Sequence, residues 1–456
     1  MKKQLLVFIV FLFLFSSTGF AQKPTVKPNP EITKMMRDVS AKNIEATIRK
    51  LVSFGTRNTL SEQDSTTRGV GAARDWIYSE FQRISTACGG CLDVQKQTFL
   101  QAANPPPRGR VPVATNLTNV FATLKGTMDP DRIYVVSGHY DSMCNQDTTD
   151  TKCEAPGAND DASGTAASLE LARVMSKQKF DATIIFMTVP GEEQGLLGAT
   201  YFAKDALDKK MNIEAMFTDD IIGGVTSYKD APDRQTIRVF AEGVPSNETP
   251  AEATSRRSVG GENDSASRQL GRYIKEMADI YSPKFKVTLV YRRDRYGRGG
   301  DHIPFLENGF AAVRFTEPHE DYTHQHQSVK MVDGKQYGDL PEFVDFEYVA
   351  NATRINLIAL ANLALAPAKP KNVTILTGRL TNDTDLKWDA SKDADLAGYE
   401  IVWRDTTSPF WTNSLPVGNV TAYTAKEMSK DNYFFGVRAV DKDGNKSQVV
   451  YPKSGR

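Results

Sequence analysis

Acidic and histidine side chains recur in five short segments of the sequence, each of which follows an apolar run. The segments are Gly138-His139-Tyr140-Asp141, Asn159-Asp160-Asp161, Gly191-Glu192-Glu193, Asp219-Asp220 and the histidine-rich stretch 317–326. Carboxylates that are buried close together repel one another unless a cation lies among them. Mixed imidazole and carboxylate ligands suit zinc, and manganese or cobalt would also fit. The pattern therefore predicts a metal centre.

Strands and helices alternate in the part of the chain that contains these segments. Apolar, β-branched runs predict strands at 133–137, 183–189, 213–217, 237–240 and 287–291, and amphipathic patterns predict helices at 72–84, 164–175, 195–207 and 268–280. A long helix is predicted over 343–365, and the polar stretch 244–264 is predicted to be a surface loop. The alternation predicts an α/β fold with a mixed, mostly parallel sheet flanked by helices. In such sheets ligands bind beyond the carboxyl ends of the strands, where the five segments would meet.

The composition of the chain changes at both of its ends. Residues 1–21 combine a basic start, an apolar run at 5–15 and small residues, which predicts a signal peptide cleaved near Ala21 and hence a secreted protein, extracellular or periplasmic. The apolar run is too short for stable membrane insertion. Residues 22–38 are predicted to be a leader, 39–366 the enzyme domain, and 367–456, after a proline-containing linker, a small all-β sandwich.

Charge and cysteine content narrow the function classes further. Lysine plus arginine and aspartate plus glutamate both number 56, so no overall positive charge is available to hold nucleic acid. The chain has four cysteines. In an exported protein the simplest pairing is two local disulfides, Cys88–Cys91 and Cys144–Cys153, and the alternative is a redox-active pair at Cys88 and Cys91.

The ordered series of segments resembles the secreted dizinc aminopeptidases of the bacterial leucyl-aminopeptidase type, over about residues 39–364. The resemblance implies two Zn²⁺ ions, with Asp160 bridging them, and it implies this ligand set: His139, Asp160, Glu193, Asp220 and His324, with His326 as the alternative to His324. Glu192 resembles the general base. Tyr296, or else Tyr291, resembles the tyrosine that stabilises the oxyanion.

Three further features follow from resemblance. Asp141 would accept the other ring N–H of His139. The peptide bond between Asp160 and Asp161 is expected to be cis. The region that contains Trp388 and the late strand 435–440 resembles a fibronectin type III domain. A contact of this domain with a surface or polymer is an open alternative to a purely stabilising role.

The function implied is a secreted zinc-dependent exopeptidase that removes N-terminal residues from peptides with a free amino terminus. The alternatives are another zinc exopeptidase or a glutaminyl cyclase on the same scaffold, and a non-catalytic binding protein. Four arginines, at positions 292, 293, 295 and 298, have two interpretations: a basic rim that favours acidic substrates, or a solvated loop.

Overall fold

The computed structural model describes residues 28–145, 147–226 and 231–455. The predicted signal peptide and residues 22–27 of the predicted leader lie outside the described residues. No helix in the described part of the chain is long and apolar enough to cross a membrane.

An eight-stranded sheet forms the centre of the first domain. Its strands are β1 (Leu92–Gln101), β2 (Thr115–Leu124), β3 (Asp129–His139), β4 (Ala182–Val189), β5 (Asn212–Asp219), β6 (Thr236–Phe240), β7 (Lys286–Val290) and β8 (Ala312–Thr316). Their order across the sheet is β1-β2-β4-β3-β5-β8-β6-β7. The β3–β4, β3–β5, β5–β8 and β6–β7 pairs are parallel and the other three are antiparallel. The predicted mixed sheet is confirmed.

Helices cover both faces of this sheet. They are α1 (Pro30–Asp38), α2 (Ala41–Val52), α3 (Gly69–Ala87), α4 (Ala162–Met175), α5 (Leu197–Asp208), α6 (Pro250–Ser258), α7 (Ala266–Tyr281), α8 (His302–Glu307) and α9 (Phe346–Leu365). Successive side chains of a strand point to opposite faces. Accordingly Val136 packs in one apolar cluster with α2, α4 and α9, and Val135 packs in the other with α5 and α8.

Two helices, α1 and α6, lie in segments for which the sequence predicts a leader and a loop. α1 occupies part of the predicted leader, begins with the Asn29 side chain accepting the N–H of Glu31, and buries Ile32 and Met35 against the core. α6 lies in the predicted loop 244–264, and that prediction was wrong. This helix buries no residue, so its sequence shows no apolar periodicity from which a helix could be predicted. The helix begins with a capping box formed by Thr249 and Glu252.

The C-terminal residues form two small sheets, after a short hairpin of β9 (Lys330–Val332) and β10 (Lys335–Tyr337) in the first domain. Their strands are β11 (Thr374–Leu376), β12 (Thr384–Lys387), β13 (Leu396–Asp405), β14 (Asn413–Gly418), β15 (Ala422–Ala425), β16 (Tyr433–Asp441) and β17 (Lys453–Gly455). The orders are β15-β12-β11-β17 and β14-β13-β16, and both sheets contribute to one core around Trp388 and Val437. The predicted all-β sandwich is confirmed, and its kinship to fibronectin type III stays a prediction.

Buried ion pairs join the two domains. Asp264, fully buried, accepts hydrogen bonds from Arg272 of α7 at 2.6 Å and from Arg404 of the C-terminal domain at 2.8 Å. Trp411 donates its ring N–H to Gln269 at 2.9 Å, so this aromatic side chain belongs to the domain contact. Both predicted disulfides, Cys88–Cys91 and Cys144–Cys153, are present.

Candidate metal centre

The first group of candidate ligands lies at the carboxyl ends of β3, β4 and β5. His139 is the last residue of β3, Asp220 directly follows β5, and Glu192 lies in the turn after β4. One ligand atom from each of these three residues lies within 4.8 Å of the others. His139 Nε2 is 3.9 Å from Asp220 Oδ1. The strand-end rule therefore brings these three segments together as expected.

A second group consists of Asp160, Glu193 and His326, again with ligand atoms within 4.8 Å of one another. His326 Nε2 lies 2.9 Å from Asp160 Oδ2 and 3.2 Å from Glu193 Oε1. The other oxygen of Asp160, Oδ1, lies 3.2 Å from His139 Nε2. Each oxygen of the Asp160 carboxylate thus faces one of the two groups, which is the arrangement that a bridging ligand requires.

His324, the sequence-based choice for the fifth ligand, lies away from both groups. Its ring stacks on Phe343, with centroids 3.7 Å apart and an angle of 8° between the planes. The chain turns at 321–327, where the N–H of His324 bonds to the Asp321 carbonyl and His326 adopts a φ of 53°. Because of this turn the two imidazoles point in different directions, and His326 replaces His324 in the candidate ligand set.

Asp141 holds the first ligand and the Glu192–Glu193 turn together. Its carbonyl oxygen is 3.2 Å and its carboxylate 3.4 Å from His139 Nδ1, so the predicted contact is present. The same buried carboxylate accepts the N–H groups of Glu192 at 3.3 Å and Glu193 at 3.2 Å. It also accepts the hydroxyl of Thr59 at 2.9 Å. One carboxylate therefore positions the ends of β3 and β4 relative to each other.

The loop that carries Asp160 is held by groups that sequence analysis missed. The peptide bond between Asp160 and Asp161 is cis, as the resemblance predicted. The buried carboxylate of Asp339 accepts the backbone N–H groups of Asn159 at 2.9 Å and Asp160 at 2.7 Å. The buried guanidinium of Arg57 donates to the carbonyls of Tyr140, Pro156 and Gly157. Asp339 and Arg57 are distant in sequence from the motif, and nothing in their local pattern marks them.

Comparison with known proteins agrees with this geometry. The model of "Peptidase family M28" matches residues 119–339. A probable zinc metalloprotease of Leptosphaeria maculans is 48% identical over 94% of this chain and 98% of its own length. Another, of Pyrenophora tritici-repentis, is 47% identical over 94% of this chain and 88% of its own. The chain belongs to peptidase family M28. It is therefore a zinc metallopeptidase, a hydrolase.

Solved structures show the same fold as this M28 peptidase. LapB from Legionella pneumophila has a TM-score of 0.52 and 20% identity, and the match covers 75% of this chain and 77% of LapB. The LapA aminopeptidase of the same organism has a TM-score of 0.51 and 19% identity, with 76% of this chain and 78% of LapA covered.

The electrostatics of the M28 site fit a bound cation. Burial alone would lower the pKa of His326, but the carboxylates of Glu193 and Asp160 raise it to about 11. Burial raises the pKa of Glu192 well above its usual range; the positive charge on His139 opposes this and nearby carboxylates reinforce it. The raised pKa values mean that this cluster of buried carboxylates and histidines binds protons strongly. A bound cation would balance the same negative charge. His139 Nε2 is buried and faces the carboxylates of Asp160 at 3.2 Å and Asp220 at 3.9 Å, a position that suits a metal ligand.

Neither candidate tyrosine points into the cluster. Tyr296 is 87% exposed, and the guanidinium of Arg292 lies 3.4 Å from the centroid of its ring. Tyr291 donates its hydroxyl to the carbonyl of Pro409 in the C-terminal domain at 2.8 Å, and Arg268 lies over its ring. The assignment of Tyr296 to the oxyanion is therefore corrected: its side chain extends into solvent, and that of Tyr291 belongs to the domain contact.

Proposed function

We propose that this M28 peptidase is a secreted aminopeptidase that binds two zinc ions and removes residues from the amino terminus of peptides. The observation that carries the proposal is the pair of ligand groups that share Asp160, with Glu192 beside them. His139 and Asp220 would hold one ion, Glu193 and His326 would hold the other, and Asp160 would contact both. When bound, zinc acidifies water and polarises a peptide carbonyl.

Glu192 is the residue best placed to move protons. It is only partly exposed, and it lies next to Glu193 in a turn whose N–H groups are fixed by Asp141. We infer that its carboxylate takes a proton from the attacking water and returns it to the leaving amine.

The free amino group of the substrate would meet the carboxylates at this edge of the sheet. This contact would restrict cleavage to the first residue, since an acylated amino terminus carries no positive charge. Secretion is proposed on the basis of the predicted signal peptide at 1–21, and the two disulfides support it because such bonds persist in oxidising compartments.

The decisive experiment combines Glu192→Gln with metal analysis and a small substrate panel. The wild-type protein is expected to bind two zinc ions per chain, to lose activity with a chelator, and to regain it on zinc addition. Glu192→Gln should keep both ions and lose at least about 10²-fold in kcat, since general base catalysis contributes that much. Full activity in the zinc-loaded variant would remove Glu192 as the base.

The panel separates the proposal from its rivals. Aminoacyl anilides should be hydrolysed and their N-acetyl derivatives should not. Release of ammonia from an N-terminal glutamine, with about one zinc per chain, would instead identify a glutaminyl cyclase. Cleavage from the carboxyl end of N-acetyl peptides would identify a carboxypeptidase. Zinc binding without turnover of any peptide would identify a binding protein.

A further inference from the structure

A cavity of about 520 Å³ lies beside the segment between β7 and α8. We name it the arginine cavity, because its wall is formed by Arg292, Arg293, Arg295 and Arg298, together with Asp294 and Gly299. From the sequence alone the same arginines have two interpretations, a basic rim or a solvated loop. The structure shows that they line one depression in the surface, which is open to solvent.

Positive charge exceeds negative charge around this cavity. The buried carboxylate of Glu320 accepts from Arg298 at 2.6 Å, Arg295 at 3.0 Å and Arg238 at 3.4 Å. Asp294 pairs with Arg295 at 3.0 Å. Two carboxylates therefore serve three guanidinium groups, while Arg293 pairs with Glu307 at 2.6 Å and Arg292 lies over the ring of Tyr296. An anion that enters the cavity would meet donors that carry a net positive charge.

The wall of the arginine cavity is also the flank of the candidate metal centre. The carbonyl of Gly299 accepts from Arg295 at 2.9 Å and from the buried Arg314 at 2.6 Å. Arg314 in turn lies 2.9 Å from Oδ2 of the candidate ligand Asp220. A methyl group placed on Gly300 would lie 3.4 Å from the same oxygen. The cavity and the metal centre are therefore separated by about one side chain.

Of Arg295 and Arg298, which both bond to Glu320, Arg298 is the better placed to reach a ligand. Arg295 keeps 10% of its side chain exposed and is held by three partners, whereas Arg298 keeps 31% exposed and bonds to Glu320 through Nη1. Burial and the neighbouring guanidinium of Arg295 oppose its positive charge, and the carboxylate of Glu320 raises its pKa. Arg298 lies in the wall of the cavity and presents a planar donor group suited to a carboxylate.

We propose that the arginine cavity binds a carboxylate of the substrate and that Arg298 is the specificity-determining residue. This proposal rests on the proposed aminopeptidase function. The carboxylate has two sources: the side chain of an acidic first residue, or the free carboxyl terminus of a short peptide. Either source would make anionic substrates better than neutral ones of the same shape.

Two matched substrate pairs distinguish the sources. Glutamyl and glutaminyl anilides differ only in the charge of the first side chain, and Leu-Gly and leucyl-glycinamide differ only at the carboxyl terminus. In at least one pair the wild-type enzyme is expected to favour the acid by about tenfold in kcat/KM, the size of one charge-assisted hydrogen bond. Arg298→Gln should abolish the preference, and Arg298→Lys should restore part of it. Arg83→Gln, an exposed arginine of α3 with 62% of its side chain accessible, should leave the preference unchanged.

Binding without turnover separates this proposal from the catalytic one. The zinc-loaded Glu192→Gln protein is titrated by calorimetry with the same pairs, with and without Arg298→Gln. If the acid binds more tightly than its neutral partner, and Arg298→Gln removes this difference, the result supports binding of a carboxylate in the arginine cavity. This conclusion would hold even if the wild-type protein hydrolysed none of these substrates and the aminopeptidase assignment failed. Equal binding of acid and neutral partner in both pairs, or a preference that Arg298→Gln does not alter, overturns it.

Discussion

Replacing His326 by alanine, with His324→Ala as the matched control, tests the correction that the structure makes to the ligand set. His326 Nε2 lies 2.9 Å from Asp160 and 3.2 Å from Glu193. His324 lies only two residues before His326 in the chain. Its ring instead stacks on Phe343, with the ring centroids 3.7 Å apart. The two variants remove the same chemical group from neighbouring positions, so any general effect of losing an imidazole appears in both.

The expected magnitudes follow from these contacts. Loss of a partner that only orients a ligand lowers zinc affinity by about 10–100-fold, so loss of a direct ligand should exceed about 10²-fold. His326→Ala should therefore purify with about one zinc per chain and lose at least about 10³-fold in kcat/KM, because the ion of the Glu193 group would dissociate. His324→Ala loses one stacked ring pair, worth about 0.5–1.5 kcal/mol of stability, and should keep both ions.

The assay is zinc content after dialysis against a weak chelator, followed by hydrolysis of leucyl anilide with graded zinc addition. Thermal unfolding of both variants controls for misfolding. If His324→Ala loses zinc and His326→Ala retains it, the placement of the turn at 321–327 is wrong, and so is the reasoning from the Asp160 geometry. Retention of both ions by both variants would refute histidine ligation in the second group.

Two further predictions concern stability. Burial raises the pKa of Glu317 to about 8, from a usual value of about 4.5. Between these two pH values the folded protein keeps a proton that the unfolded chain releases. The free energy of unfolding should therefore fall as pH rises from 5 to 8, at up to about 1.4 kcal/mol per pH unit. Melting curves of Glu317→Gln should show a shallower slope than the wild-type protein, whereas the exposed control Glu154→Gln should keep the wild-type slope. Identical slopes would contradict the assignment. Asp264→Asn breaks the buried pair between the domains and should cost about 3 kcal/mol in denaturant unfolding, against less than about 0.5 kcal/mol for the exposed Asp279→Asn. Equal losses would show that the domain contact contributes little.

Much of the fold followed from local patterns. The uniformly buried strand β4 appears in the sequence as an unbroken apolar run, and β3 and β5 are nearly as clear, because both faces of these strands are covered by helices. β1 was missed, since it is an edge strand with mostly exposed or half-buried residues and so has no apolar run to detect. α6 was missed for the same reason: a helix that buries nothing leaves no periodic signal.

The candidate site divides in a similar way. His139, Asp160, Glu192, Glu193 and Asp220 were predicted because each follows a predictable strand or begins a predictable helix, and parallel strands bring such positions to one edge of the sheet. His326 and Tyr296 lie in irregular segments, 321–327 and 291–301, where the direction of a side chain depends on turns that contacts from elsewhere stabilise.

The strand ends that carry carboxylates and imidazoles could be predicted from the amino-acid sequence, because element type and chain order are local properties of the pattern. Folding was needed to show which histidine faces Asp160, that Asp339 and Arg57 hold the Asp160 loop, and that four arginines line one cavity. These contacts join residues far apart in the chain. Their direction is set by packing and by hydrogen bonds to backbone groups, neither of which leaves a signature in the local sequence.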